Sequence, residues 1–197
     1  MTTTIDAIRA EYLRYKALAE AAIAQLTDAD LAASASDDDP SASLGGDNSI
    51  ATICWHLSGN LESRFTDFLT SDGEKPWRDR EEEFAQRTVT KAELLAKWQR
   101  GWDALLAALA TLRDEDLPRT ITIRRQPLQV NEALARSLAH LSYHVGQIVY
   151  IAKSRRGASW VSLSIPRGES ARYNQAATSE RPAAHADMIR RYTEEME

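Results

Sequence analysis

Apolar residues recur at steps of three and four along four long stretches of this chain, and each stretch predicts an amphipathic α-helix. We expect these helices to cover about Thr3 to Leu26, Ile50 to Ser71, Thr90 to Leu112 and Val130 to Lys153. The side chains at 47–49 offer N-caps for the second helix. Four such helices in 197 residues predict an all-α domain with the architecture of a four-helix bundle.

The connections between these helices are long, so each can cross the bundle and parallel neighbours are allowed. The segment from Ala33 to Asp47 is small, acidic and glycine-punctuated, which predicts a mobile loop that serves either as a lid or as plain disorder. β-forming residues at 117–129, before the fourth helix, predict a short extended excursion or loose hairpin. We expect one domain over residues 1–175 and a tail over 176–197 that forms a short helix.

Composition excludes several classes of function. The net charge is -5 and no basic stripe runs along any segment, so we expect no nucleic-acid partner. Cys54 is the only cysteine, which excludes an intramolecular disulfide and a thiolate-rich metal site. No apolar run approaches the roughly 20 residues that span a bilayer, and no signal peptide is visible at Met1 to Asp6. The sequence therefore predicts a cytoplasmic protein without a membrane partner.

Three of the four histidines fall on helices that should meet in the core. His140 and His144 are four residues apart, so their imidazoles share one helix face, and His56 borders the apolar stripe of the second helix. Three histidines with one open coordination position are the donor set of a catalytic metal rather than a structural one, and imidazoles suit zinc, nickel, copper or iron. The alternative is that these histidines only satisfy hydrogen bonds in the core.

A glutamate directly after the first histidine is the general base of the helical zinc proteases. Leu141 occupies that position here, so chemistry of that kind lacks its base. The ligands alone do not choose between polarising a water for hydrolysis and holding a substrate thiolate for transfer.

Motifs around these histidines resemble the DinB-like superfamily, which includes the YfiT-like metal-dependent hydrolases. The resemblance rests on residues 48–51, 55–61 and 140–148, and on 163–168, which looks like an uncharacterised bacterial branch. It covers roughly Ile5 to Asn174. The superfamily is functionally mixed, so the resemblance is more informative about fold and metal than about the reaction.

The resemblance implies a four-helix bundle with an up-down-down-up course and a divalent metal, zinc or nickel, held by His56, His140 and His144. It further implies a metal-dependent hydrolase or a thiol S-transferase that acts on a small-molecule substrate. The alternative is a non-catalytic dimer that binds a metal or small ligand in stress response. A fourth helix that is apolar on more than half its circumference predicts a homodimer.

Four further residues are candidates to line the pocket. Asn60 and Gln147 lie about one turn beyond histidines and could bond a substrate, or two such amides could satisfy each other. Tyr143 could contact the edge of the site or simply pack at an interface. Arg167 could clamp a carboxylate, although a loop-fixing ion pair is the simpler reading. Glu62 is a candidate to orient a ligating imidazole, against the alternative of an ordinary surface carboxylate.

Overall fold

The computed structural model describes residues 2–33, 48–175 and 180–194, so nearly all of the acidic segment at 33–47 lies outside the described residues. The described ranges contain eight α-helices and one two-stranded sheet. The helices are α1 (Thr4–Ala24), α2 (Asp28–Ala32), α3 (Ile50–Phe65), α4 (Arg80–Glu83), α5 (Lys91–Thr111), α6 (Val130–Arg156), α7 (Ser170–Gln175) and α8 (Pro182–Glu194); the strands are β1 (Thr120–Ile123) and β2 (Gln126–Gln129). No helix within these ranges is both long and apolar enough to cross a membrane.

The long helices begin where their capping residues predict. The side chain of Ser49 accepts a hydrogen bond from the backbone N–H of Thr52 at 3.1 Å and opens α3. Thr90 and Glu93 form a reciprocal capping box that opens α5. Gly157, at a φ of 52° that favours glycine, ends α6.

The four longest helices contact one another in a closed cycle, in which α1 touches α5, α5 touches α3, α3 touches α6 and α6 touches α1. Helices α3 and α5 pack so closely that a Cβ at Gly101 would lie 2.7 Å from Cα of Ser58. Trp98 and Trp102 are fully buried in the core. Tyr12 ties α1 to α6, since its hydroxyl donates to the carbonyl of Leu134 at 3.0 Å.

Helix α3 ends earlier than the sequence predicts. Its apolar stripe continues beyond Phe65, but the backbone of Thr66 is extended and Asp67 adopts a left-handed φ of 49°. The chain then turns back, and the hydroxyl of Ser63 donates to the carbonyl of Gly73 at 2.9 Å. This return brings residues 74–83 back to α3, since α3 and α4 are in contact.

Of the extended excursion or loose hairpin expected before the fourth helix, the structure has the hairpin, and its turn is tight. Strands β1 and β2 pair with Ile123 opposite Gln126, so only Arg124 and Arg125 form the turn. Both have left-handed backbones, with φ of 54° and 61°. Asp72 stabilises this turn, because its carboxylate accepts the N–H groups of Arg124 and Arg125 at 2.9 and 2.7 Å.

Three short helices escape the periodicity analysis, and the tail contains a longer one. Thr27 forms a capping box with Asp30 and opens α2. The short helices α4 and α7 lie in segments with too few residues for a periodic signal. The predicted helix of the tail is α8, which packs on α1 with Ala186 and Ile189 buried.

Candidate metal centre

Three imidazoles from two helices converge at one point, as the sequence predicts. His56 lies on α3, and His140 and His144 lie one turn apart on α6. Nε2 of His56 is 3.2 Å from Nε2 of His140, and one nitrogen from each of the three rings lies within 4.8 Å of the others. Nitrogens bound to one tetrahedral zinc at about 2.05 Å would be about 3.4 Å apart, so the cluster has the dimensions of a ligand set.

Glu83 fixes the ring of His56. Oε2 of Glu83 lies 3.0 Å from Nδ1 of His56, which directs Nε2 to the cluster. Arg78 donates to both oxygens of the same carboxylate, at 2.7 and 2.8 Å. Burial raises the pKa of Glu83, but the hydrogen bonds from Arg78 and His56 outweigh it and the net pKa is lowered. Glu83 is therefore a charged, buried acceptor of the kind that orients ligating histidines.

Helix α3 has a gap that admits this carboxylate. A Cβ at Gly59 would lie 2.1 Å from Oε1 of Glu83, so any side chain there would displace the carboxylate. Gly59 is three residues after His56 and therefore on the same helix face. Glu62, the orienting candidate taken from the sequence, instead pairs with Lys97 at 3.2 Å. Glu83 was not predicted from the sequence. The one local signal of a close neighbour was a glycine inside the helix, near His56.

Gln147 orients the ring of His144, as Glu83 orients the ring of His56. Its side-chain Oε1 lies 2.7 Å from Nδ1 of His144, which leaves Nε2 of that ring free to face the cluster. The amide nitrogen of Gln147 donates to the hydroxyl of Tyr143 at 3.3 Å, and the Tyr143 ring centroid is 4.9 Å from that of His144. Both pocket candidates on α6 therefore lie at the site, and Tyr143 remains largely exposed to solvent.

The histidines on α6 are held neutral. Burial, with repulsion from His144 and His56, lowers the pKa of His140 to about 4. Burial also lowers the pKa of His144, against a raising effect of its hydrogen bond to Gln147. A metal must otherwise displace a proton from each ligand, so rings that are already neutral at pH 7 favour binding.

Sequence comparison assigns the chain to a family. Residues 1–169 match the family described as "protein of unknown function (DUF1572)". The chain belongs to the DUF1572 family. The match covers α1 to α6 and so includes the three histidines of the cluster and Glu83. No curated protein and no solved structure is significantly similar to the chain.

A cleft of about 660 Å³ in this DUF1572 protein borders the histidine cluster. His56 and His140 form part of its wall, together with the predicted pocket residue Asn60. The end of α3 and the hairpin supply apolar walls, namely Phe65, Phe68, Ile123, Pro127 and Leu128. Arg167 is exposed and does not line the cleft. The chain after α6 is instead fastened to the end of α1, since Gln25 bonds the backbone of Val161 at 2.9 and 3.0 Å.

The three imidazoles of the cluster could hold a metal ion and leave one coordination position open. Among the described residues of this DUF1572 protein, no cysteine, aspartate or glutamate joins the three imidazoles as a fourth ligand. Structural zinc sites have four protein ligands, whereas catalytic sites have three and keep a position for water or substrate. The cluster borders a cleft of the size of a small-molecule site, which is where such an open position is useful.

Proposed function

We propose that this protein is a DinB-like metal-dependent enzyme whose His56, His140 and His144 hold one divalent cation, zinc or nickel. The observation that carries the proposal is the convergence of three ring nitrogens within 4.8 Å. Two of the rings are also turned inward by partners on their other nitrogen, His56 by Glu83 and His144 by Gln147. Histidines that only filled a core would not need this arrangement, whereas ligating histidines usually have it.

The helix contacts support the DinB-like bundle. The cycle of contacts through α1, α5, α3 and α6 places each long helix beside two others, which is the arrangement of a four-helix bundle. In this bundle the ligands come from α3 and α6, which are neighbours in the cycle. The DinB-like resemblance assigns one ligand to the second long helix and two to the fourth, and those helices are α3 and α6.

Thiol S-transfer suits the residues of the cleft at least as well as hydrolysis does. A bound divalent cation would supply Lewis-acid stabilisation of a water-derived or thiol-derived anion. Hydrolysis also needs a general base, yet Leu141 follows His140 and no carboxylate among the described residues lines the cleft. The pKa of a thiol is about 8.5, well below that of free water, so a thiol loses its proton with less help.

The residues around the cluster also limit the access of water. The ring of Phe84 lies 4.8 Å from that of His56, and His56 is only 6 % exposed. Glu83 is held by Arg78 and His56 together, so its role is to keep the His56 ring in place rather than to move protons. These contacts favour a preorganised site in which the substrate enters from the cleft.

Metal analysis tests the proposal directly. The protein purified from zinc-supplemented medium should contain about one equivalent of metal, and His140→Ala should contain almost none. His185→Ala is the matched control, since His185 lies on α8 and bonds the hydroxyl of Tyr173 outside the cluster. A metal-free wild type, or equal metal in wild type and His140→Ala, would end the proposal.

An activity assay then separates transfer from hydrolysis. The metal-loaded protein is given a chromogenic electrophile, 1-chloro-2,4-dinitrobenzene, with reduced glutathione, bacillithiol or mycothiol. Thiol consumption that is lost in His140→Ala supports an S-transferase. Turnover of ester or amide substrates without a thiol supports a hydrolase instead.

A second candidate function is a non-catalytic homodimer that binds a metal or small ligand in stress response. It is favoured by the exposed aromatic residues of α6, since Tyr143 and Tyr150 are 63 % and 72 % exposed. A metal-loaded protein that forms a dimer in light scattering and turns over none of these substrates would favour this candidate.

A further inference from the structure

The cleft beside the histidines is lined by positive charge. Five arginines contribute to its wall, and among the residues that the structure describes no aspartate or glutamate does so. They are Arg64, Arg78, Arg80, Arg124 and Arg136. The side chains of this wall carry charge of one sign and lie beside the proposed divalent cation. An anionic ligand would balance that positive charge.

Few carboxylates are available to neutralise these arginines. Glu74 is shared, since it pairs with Arg64 at 3.0 Å and Arg124 at 2.9 Å and lies 3.7 Å from Arg78. Glu83 pairs with Arg78 and with His56. Two carboxylates therefore serve three arginines and a histidine.

The remaining two arginines are still less compensated. Among the described residues, the one ion pair of Arg80 is with the exposed Glu81 at 3.7 Å, and its guanidinium lies over the Phe84 ring. For Arg136 no ion pair or hydrogen bond is present among the described residues. The cleft consequently carries an excess of positive charge.

Arg78 brings an unmet hydrogen-bond donor to the buried side of the cleft. Its side chain is 2 % exposed, and its Nη1 makes no hydrogen bond within the described ranges. The carboxylate of Glu74 lies 3.7 Å from this atom, beyond hydrogen-bond distance, so the N–H has lost water without gaining a bond in return. An oxygen-bearing ligand in the cleft would supply acceptors where the protein does not.

The position of Arg136 indicates where an anion would bind relative to the histidines. It precedes His140 by four residues on α6, so the two side chains share one helix face. They are separated by about one helical turn, roughly 6 Å along the axis. A group bound by Arg136 is therefore close to the cluster without occupying it.

We propose that the cleft recognises a short organic anion, a carboxylate or a phosphate ester, through Arg136 and the arginines around it. The anionic group binds Arg136, and the apolar body packs against Phe65 and Leu128, which line the same cleft. The opposite end of the molecule reaches His140. The last statement rests on the proposed metal site, whereas anion binding by the arginines does not.

Calorimetric titration tests the anion site on the full chain. Inorganic phosphate, phenyl phosphate, succinate and benzoate are titrated into wild-type, Arg136→Gln and Arg9→Gln protein, each in metal-free and zinc-loaded form. Arg9 is the matched control, because it is also an exposed arginine on a helix and does not line the cleft. Zinc content and melting temperature are measured on the same samples.

The anion site predicts that at least one of these anions binds the metal-free wild type and that Arg136→Gln weakens this binding about tenfold, as expected for one lost charge-assisted bond. Arg9→Gln should bind as wild type does. Tighter binding of phenyl phosphate than of phosphate would confirm the apolar wall. The relative affinities of succinate and phosphate distinguish a carboxylate substrate from a phosphate ester.

Three results would overturn the proposal. In the first, the metal-free wild type binds none of the anions. In the second, Arg136→Gln and Arg9→Gln weaken anion binding equally. In the third, anion binding needs zinc and is unchanged in Arg136→Gln. The last result would assign the anion to the metal. A protein that binds anions through Arg136 but takes up no zinc would refute the metal site and leave the arginine site standing.

Discussion

Glu83 holds His56: its Oε2 lies 3.0 Å from the imidazole Nδ1, and both side chains are 7 % exposed. Glu83 ends a four-residue helix between α3 and α5, whereas His56 lies in the middle of α3. The pair therefore joins the histidine cluster to a segment that the packing of the long helices alone would not require. It makes the geometry of the cluster depend on the return of the chain after Phe65.

Replacing Glu83 by Gln should weaken zinc binding. The amide carries no charge, so it holds the His56 ring less firmly and leaves Arg78 without its charged partner. Loss of such an orienting carboxylate typically costs 10–100-fold in metal affinity, and competition with a chromogenic chelator measures this range.

Glu81→Gln is the matched control for that substitution. Glu81 is two residues away and 91 % exposed, and within the described part of the chain its carboxylate pairs with Arg80 alone, at 3.7 Å, so its replacement should leave zinc affinity unchanged. Wild-type zinc affinity in a folded Glu83→Gln protein would show that the pair does not orient a ligand.

Adding one methyl group at Gly59 should act in the same direction. In Gly59→Ala the new Cβ would lie 2.1 Å from Oε1 of Glu83, so the carboxylate must move away from His56. Zinc affinity and melting temperature should both fall. Gly146→Ala is the control, because no atom lies within 4 Å of its Cβ position, and it should gain about 0.5–1 kcal/mol from helix propensity. The melting temperature must therefore fall in Gly59→Ala and rise in Gly146→Ala.

The metal-free protein should lose stability as the pH falls from about 6.5 towards 4. The pKa of His140 is lowered to about 4, chiefly by burial, whereas the unfolded chain takes up this proton near 6.5. Between these values the unfolded state binds more protons, so acid favours unfolding. Urea unfolding in the presence of a chelator, at several pH values, should show a shallower slope for His140→Gln than for wild type. Identical slopes would disprove this assignment.

The turn of the hairpin offers a test of the fold beside the cleft. Arg125 has a φ of 61°, which glycine adopts without strain. Arg125→Gly should therefore raise the free energy of unfolding by up to about 1 kcal/mol, and the melting temperature with it. Arg113→Gly is the control. Arg113 has a φ of -125°, and glycine there adds only entropy to the unfolded chain. A lower melting temperature for Arg125→Gly would contradict the turn geometry.

Local sequence signals were sufficient to predict the long helices and the histidine cluster. Capping residues such as Ser49 and Thr90 set helix starts from sequence neighbours alone, and the spacing of His140 and His144 fixes their common face. The end of α3 could not be predicted in this way, because the apolar stripe continues to Phe68 while the backbone turns at Asp67.

The partners of the histidines depend on tertiary contacts. Three consecutive glutamates occupy positions 81–83, and no local pattern tells which of them is buried. Only the return of the chain to α3, and the space beside Gly59, select Glu83. The arginines of the cleft come from α3, the segment before α4, α4 itself, the hairpin and α6, so no single stretch of sequence reveals their common surface.

The most direct test is an anomalous difference map from crystals of the protein grown with zinc, recorded on both sides of the zinc absorption edge. We expect one strong peak with the ring nitrogens of His56, His140 and His144 each at about 2.0–2.1 Å from it. A map without a peak among these rings, with their nitrogens bonded only to one another, would contradict the metal site and leave the helical fold as the remaining result.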